Sequence, residues 1–246
     1  MRPPVGRLGS RHSEKNELRP DRKRPWGIGQ VNGAYRQRLE AVLDLYARPY
    51  DARFPVVCVD ERPCFRLGAV VEAQPGRPAK AHYAYRQHGR CCVLAAVEPL
   101  PGPRLYQGRG QRTTRAYTQF MQPLAACYPH AEKIRLVQDN LNTHALSTFY
   151  DCLPAAIARR LAARFEVYYT PKSGAWLNRI ELDCSALSRQ CLKRRPPTQA
   201  RLAYQVYCWS RARQAQGVKI HWPFTVEQAR QTLNNQYQKV HKANKK

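Results

Sequence analysis

Apolar residues recur along this chain with two different periods, and the switches between them mark its elements. Leu39, Val42, Leu43 and Tyr46 fall at helical spacing, so residues 34–47 read as a helix that Pro49 ends. Pro55-Val56-Val57-Cys58-Val59-Asp60 is apolar until its last residue, the pattern of a strand buried on both faces. Phe65 to Val71 reads as a second strand, and residues 73–90, with Pro75-Gly76-Arg77-Pro78, as a loop. Cys91 to Val97 is a third strand, closed by Pro99, Pro101, Gly102 and Pro103. Tyr117, Phe120, Met121 and Leu124 predict a helix over 113–127, and Lys133 to Gln138 a fourth strand that stops at Asp139. Helices at 143–150 and 154–163, a fifth strand from Phe165 to Tyr169, a loop from Thr170 to Gly174, and helices at 176–193, 198–215 and 225–240 complete the series.

Three sequential strands, then alternating helix and strand, then helices alone predict a mixed five-stranded sheet flanked by helices, with a helical C-terminal extension. That is the element order of an RNase H-like α/β domain. The 246 residues divide into a basic arm or linker (1–33), a linker helix (34–50), the main domain (51–240) and a basic tail (241–246).

Composition narrows the class of partner. With 42 Lys and Arg against 17 Asp and Glu, the net charge is +25, the footprint of a protein that meets a polyanion. Nucleic acid comes first, although ribosomal proteins and membrane-surface binders share such a charge. A 43% hydrophobic and 10% aromatic content excludes wholesale disorder. No apolar run approaches the roughly 20 residues of a membrane span, and the N-terminus has no apolar secretory stretch. The nine cysteines form no CxxC pair, which argues against a zinc ribbon. Several lie in apolar runs and read as reduced core residues of a cytoplasmic protein.

Because acids are scarce, their positions are informative. Asp60 and Asp139 follow apolar strands, and side chains at the carboxyl ends of strands line the crevice of an open sheet. Two carboxylates on neighbouring strands repel unless one is protonated or a cation joins them, and magnesium or manganese suits such oxygen ligands. Glu181 supplies a third acid early in the helix after Trp176-Leu177-Asn178-Arg179-Ile180, and Asp183 lies two residues on, towards another helix face. From Cys184 to Val226 there is no acid but eight Lys or Arg. Each acid also has a plain structural reading, as a turn former after a strand or as a complement to a helix dipole.

The ordered set of motifs resembles the DDE transposases of bacterial insertion sequences related to mariner, specifically the insertion-sequence-630 type. Val57-Cys58-Val59-Asp60-Glu61 is similar to the family's first-acid strand. Val137-Gln138-Asp139-Asn140-Leu141-Asn142-Thr143-His144 resembles its second-acid motif, and Tyr169-Thr170-Pro171-Lys172 leading to Trp176-Leu177-Asn178 and Glu181 its approach to the third acid. The resemblance runs from about His12 or Glu14 to near Tyr237. It implies a retroviral-integrase-like fold and a catalytic triad of Asp60, Asp139 and Glu181 holding two Mg2+ or Mn2+ ions, with Asp183 in reserve. It also implies DNA strand cleavage and strand transfer on transposon ends and target DNA, by a homodimer associated with the bacterial nucleoid. Family members begin with a helix-turn-helix that has no counterpart in residues 1–33, so a separate upstream helix-turn-helix product or a truncated copy is expected. The stretch from Asp139 to Glu181 is longer than in eukaryotic mariner relatives.

Around the triad, Asn140 and His144 are candidate supporting residues, His144 either positioning a ligand or contacting the scissile phosphate. Asn178 is expected to orient Glu181 or to cap its helix, and Trp176 to lie in the core. Lys172, Arg189, Lys193, Arg194, Arg195 and Arg201, with Arg211 and Arg213, are expected to meet DNA phosphates. The competing readings are a decayed DNA-binding remnant without catalysis and an RNase H-like nuclease or resolvase.

Overall fold

The computed structural model describes residues 32–67, 87–100, 103–193, 196–222, 225–231 and 234. Helix α1 (Gly33–Ala47) precedes a meander of β1 (Val56–Leu67), β2 (Gln87–Val97) and β3 (Arg104–Arg109). Then come α2 (Thr114–Ala126), β4 (Ile134–Gln138), α3 (Thr148–Cys152), α4 (Ala155–Ala163), β5 (Phe165–Tyr169), α5 (Ile180–Gln190) and α6 (Gln199–Ala215). The five strands form one sheet in the order β3-β2-β1-β4-β5. β1, β2 and β3 pair antiparallel, whereas β4 and β5 join parallel to β1. This is the mixed five-stranded α/β sheet that the element order predicts. Residues 1–31 of the expected 1–33 arm, most of the expected 73–90 loop and the basic tail lie outside the described residues.

Two strand assignments change. The first expected strand and the described start of the second, Phe65 to Leu67, are one, because β1 runs unbroken through Glu61-Arg62-Pro63-Cys64, and residues 68–71 lie outside the described residues. Its pairing with β4 covers only Val56 to Cys58, so beyond that point Pro63 omits no ladder donor on that side. Conversely, β3 occupies residues expected to be loop. Its residues alternate between buried and half-buried, but Arg104, Gln107 and Arg109 hid that alternation. Two expected helices are also broken by short 3-10 turns, at Asn142–His144 and Ala175–Leu177. The chain leaves the second turn at Asn178 in an extended conformation (φ −78°, ψ 103°).

The sheet is covered on both faces, and each face has its own core. One packs Leu39, Leu43, Cys58, Val93, Leu177, Ile180, Leu187 and Leu202, which joins α1, α5 and α6 to the sheet. The other packs Val57, Leu94, Tyr117, Phe120, Leu136 and Phe149 beneath α2, α3 and α4. Each fully buried Leu or Phe of this kind contributes about 1.5–3 kcal/mol. α6 lies so close on β3 that a Cβ on Gly108 would stand 2.9 Å from the Ala203 backbone nitrogen. All nine cysteines are free. No helix among the described residues is long and apolar enough to cross a membrane.

Candidate active site

The parallel pairing of β1 with β4 sets Val56, Val57 and Cys58 against Arg135, Leu136 and Val137. Continuing that register by two residues places Asp60 across from Asp139. Alternation along β1 sends Val57 and Val59 into the α2 side of the sheet and Cys58 into the α5 side, so Asp60 faces α5 and Glu61 the opposite way. Asp60 is interior to β1 rather than at its end. The crevice opens here because β4 stops at Gln138 while β1 continues. α5 brings the third acid: Ile180, Cys184 and Leu187 bury against the sheet, and Glu181 is left half-buried beside them.

The three acids are electrostatically aware of one another. Burial, then the charge of Glu181 and to a lesser degree that of Asp139, push the Asp60 carboxyl up to about 7. They do so against a 2.7 Å hydrogen bond that Asp60 Oδ1 accepts from the Glu61 backbone and against the nearby His144 charge.

Asp139 has a partner of its own. His144 is fully buried, with Nδ1 2.5 Å from Asp139 Oδ1 and Nε2 3.1 Å from Glu61 Oε1. The second contact is a charge pair off the line of a hydrogen bond. Burial disfavours a charged imidazole, but the hydrogen bond to Asp139 and the charges of Asp139 and Glu61 outweigh it and raise the pKa to about 9. The two carboxylates thus favour the charged form of His144. Its backbone carbonyl accepts from Gln138 Nε2 (2.6 Å), Gln138 Oε1 accepts from the Tyr117 hydroxyl (2.8 Å), and the Tyr117 ring lies 4.9 Å from the imidazole. Arg112 closes the chain, its Nε 3.0 Å from Glu61 Oε2. Glu61, Gln138 and Tyr117 were not among the site residues expected from the sequence. Strand alternation separates Glu61 from Asp60, but only the 3-10 turn after β4 brings His144 to it.

Asn178 is buried, and its Nδ2 donates to the Val59 carbonyl at 2.8 Å, while its Oδ1 has no partner. It ties the start of α5 to the residue before Asp60, and it does not cap that helix, whose N-cap is Arg179. Asp183, the reserve ligand, lies elsewhere. Its buried carboxylate accepts from Tyr106 Oη (2.6 Å), Arg213 Nη2 (2.7 Å) and Arg104 Nε (3.1 Å), bolting α5 to β3 and α6. Both oxygens are taken, which leaves Glu181 as the α5 acid at the crevice. Arg213, expected at DNA, is occupied by the same contact. Trp176 is half-buried and stacks on Trp222 at 6.4 Å, as a core residue would. Asn140, Lys172, Arg189, Lys193 and Arg201 are exposed, and Arg194 and Arg195 lie outside the described residues.

Among the described residues, no three His, Cys, Asp or Glu side chains are gathered tightly enough to close on one ion. Asp60, Asp139 and Glu181 nonetheless form an all-oxygen donor set of the kind hard divalent cations take, and a cation would relieve the repulsion that raises Asp60.

Residues 55–203 match the family model of the DDE superfamily endonucleases. The chain belongs to that family. Its fold is similar to that of the mariner Mos1 transposase in the paired end complex with Mn and in the paired-end complex with left transposon end. Each has a TM-score of 0.51 at 17% identity, covering 81% of this chain and 62% of that one. The paired end complex with Mg gives a TM-score of 0.51 at 16% identity, over 79% of this chain and 59% of that one. The chain thus spans between 59% and 62% of the length of these transposases. At such identities the likeness is one of fold, the RNase H-like catalytic fold. No curated protein sequence matches the chain.

Proposed function

We propose that this DDE endonuclease chain is the catalytic core of a transposase of the insertion-sequence-630 type, cleaving and joining DNA strands with Asp60, Asp139 and Glu181. One observation carries the reading: a half-buried carboxylate, Asp60, is pushed up to about 7 by burial and by two further acids from neighbouring elements. Such mutual repulsion costs stability without a cation and is expected where divalent ions are held. The three acids would hold two Mg2+ or Mn2+ ions. Two such ions, when bound, lower the pKa of the attacking water or 3′-hydroxyl and stabilise the leaving oxygen of an in-line phosphoryl displacement.

The chain's own residues prepare this site. His144, paired with Glu61 on its other side, fixes the orientation of Asp139. Asn178 fixes the α5 start against β1, which sets Glu181 relative to Asp60. The solved neighbours are paired-end complexes, one of them with a left transposon end, which supports DNA ends as the substrate.

The test is metal-dependent nicking of a supercoiled plasmid and joining of a 3′-hydroxyl duplex by the purified chain. Asp60→Ala, Asp139→Ala and Glu181→Ala should each reduce both reactions to background while the fold persists by circular dichroism. Undiminished activity in any of the three overturns its assignment. Degradation of RNA–DNA hybrids without any joining of DNA ends would make the chain an RNase H-like nuclease instead.

A further inference from the structure

α6 has two faces of different character. Leu202, Val206 and Ser210 are buried towards β3 and the core. On the far side Arg201, Tyr204, Tyr207 and Arg211 are all exposed. At 3.6 residues per turn they lie within about 120° of one another around the helix, over about 15 Å of its length. Tyr204 and Tyr207 are 61% and 58% exposed, more than any other large hydrophobic side chain described. The Arg201 guanidinium stands 5.8 Å from the centre of the Tyr204 ring.

Charge identifies what such a face can receive. No acid occurs between Cys184 and Val226, and Arg189 and Lys193 at the end of α5 extend the same sign. A basic partner is repelled. A second copy docked α6 to α6 would set arginines against arginines. A polyanion is attracted, and two open tyrosine rings between two arginines are more than a phosphate patch needs. Rings of this kind stack on bases, which a duplex hides inside its own stack and a single strand exposes.

We propose that the exposed face of α6 binds single-stranded DNA, with Arg201 and Arg211 on phosphates and Tyr204 and Tyr207 on bases. About 15 Å accommodates roughly four stacked nucleotides. The proposal deepens the functional reading and rests on DNA being the partner, but not on the three acids. Binding can therefore be measured with chelator present and no catalysis.

The experiment is fluorescence anisotropy of a labelled oligo-dT and of a duplex of equal length, titrated with the full chain in EDTA across a salt series. The double variant Tyr204→Ala with Tyr207→Ala should weaken the single strand by about 10-fold or more, leave its salt slope unchanged, and alter duplex affinity less than about twofold. Tyr204→Phe with Tyr207→Phe should restore the affinity. Arg201→Ala with Arg211→Ala should reduce the single-strand salt slope by about 1.4, the value for two phosphates. All four side chains are exposed, so the melting temperature should not move, and it is measured alongside. Equal losses on both DNAs, or no loss from the tyrosine variant, overturn the proposal. So does a tyrosine variant that dissociates a dimer in sedimentation without changing oligo-dT binding. Failure here with intact cleavage would leave the catalytic reading standing. Loss of cleavage in the acid variants with this binding intact is what both readings together require.

Discussion

His144 joins two acids that strand alternation had separated: Asp139 lies 2.5 Å from its Nδ1 and Glu61 3.1 Å from its Nε2. A buried cation between two carboxylates orients both, and removing it leaves Glu61 buried with only Arg112 for company. His144→Ala should therefore destabilise the fold by about 3–5 kcal/mol, because a charge is left uncompensated inside. Glu61→Gln should cost less and should couple with it. In a double-mutant cycle by urea denaturation, a coupling energy of about 1–3 kcal/mol is expected. Additive losses would mean that the two side chains act independently.

The same groups set a pH dependence. The folded His144 pKa, about 9, lies above its ordinary 6.5, so its contribution is complete below 6.5 and is lost as pH rises towards 9. Asp60 is raised from 3.8 to about 7, so the fold prefers its protonated form and loses stability as pH rises between those values. Both effects run the same way, each with a slope approaching about 1.4 kcal/mol per pH unit inside its window. Without metal the melting temperature should fall from mildly acidic pH to pH 9. Asp60→Asn should melt higher than the parent at pH 8, and millimolar Mg2+ should raise the parent alone. A flat profile across both windows would contradict the assignments.

Asp183 should behave as a structural acid. Asp183→Asn weakens four charge-assisted bonds from Arg104, Tyr106 and Arg213, and a loss of about 3–5 kcal/mol is expected for a broken buried ion pair. The Mg2+ concentration for half-maximal activity of the surviving folded protein should stay unchanged. A shift in that midpoint would return Asp183 to the metal site.

Gly108 should tolerate no side chain. A Cβ there meets the Ala203 backbone at 2.9–3.0 Å, and backbone cannot swing aside as a flexible side chain can. Gly108→Ala should lower stability by about 1–3 kcal/mol, read by thermal melting, as overpacking at a close contact does. A neutral result would mean that α6 can lift from β3 without cost.

The elements that sequence located best are those whose packing follows a single period. The helix over 34–47, the helix over 113–127 and the strand over 165–169 appear within a residue of where Leu39, Phe120 and Phe165 placed them. β3 escaped because the positions buried towards α6 include Arg104 and Gly108 and the other face carries Gln107 and Arg109, which leaves only Leu105 and Tyr106 to mark a strand. The break at Asn178 escaped because its cause is a carbonyl on β1, more than a hundred residues away in sequence.

Sequence by itself determined the fold class, the partner's charge and the acids worth suspecting, because burial periodicity, net charge and motif order are properties of the chain as written. Only tertiary structure set Asp183 among arginines and left Glu181 beside Asp60, since which of two acids two residues apart finds arginines is a matter of what packs against each helix face. It also set His144 between two carboxylates, because neither Asp139 nor Glu61 is its neighbour until a parallel strand pair and a 3-10 turn bring all three together.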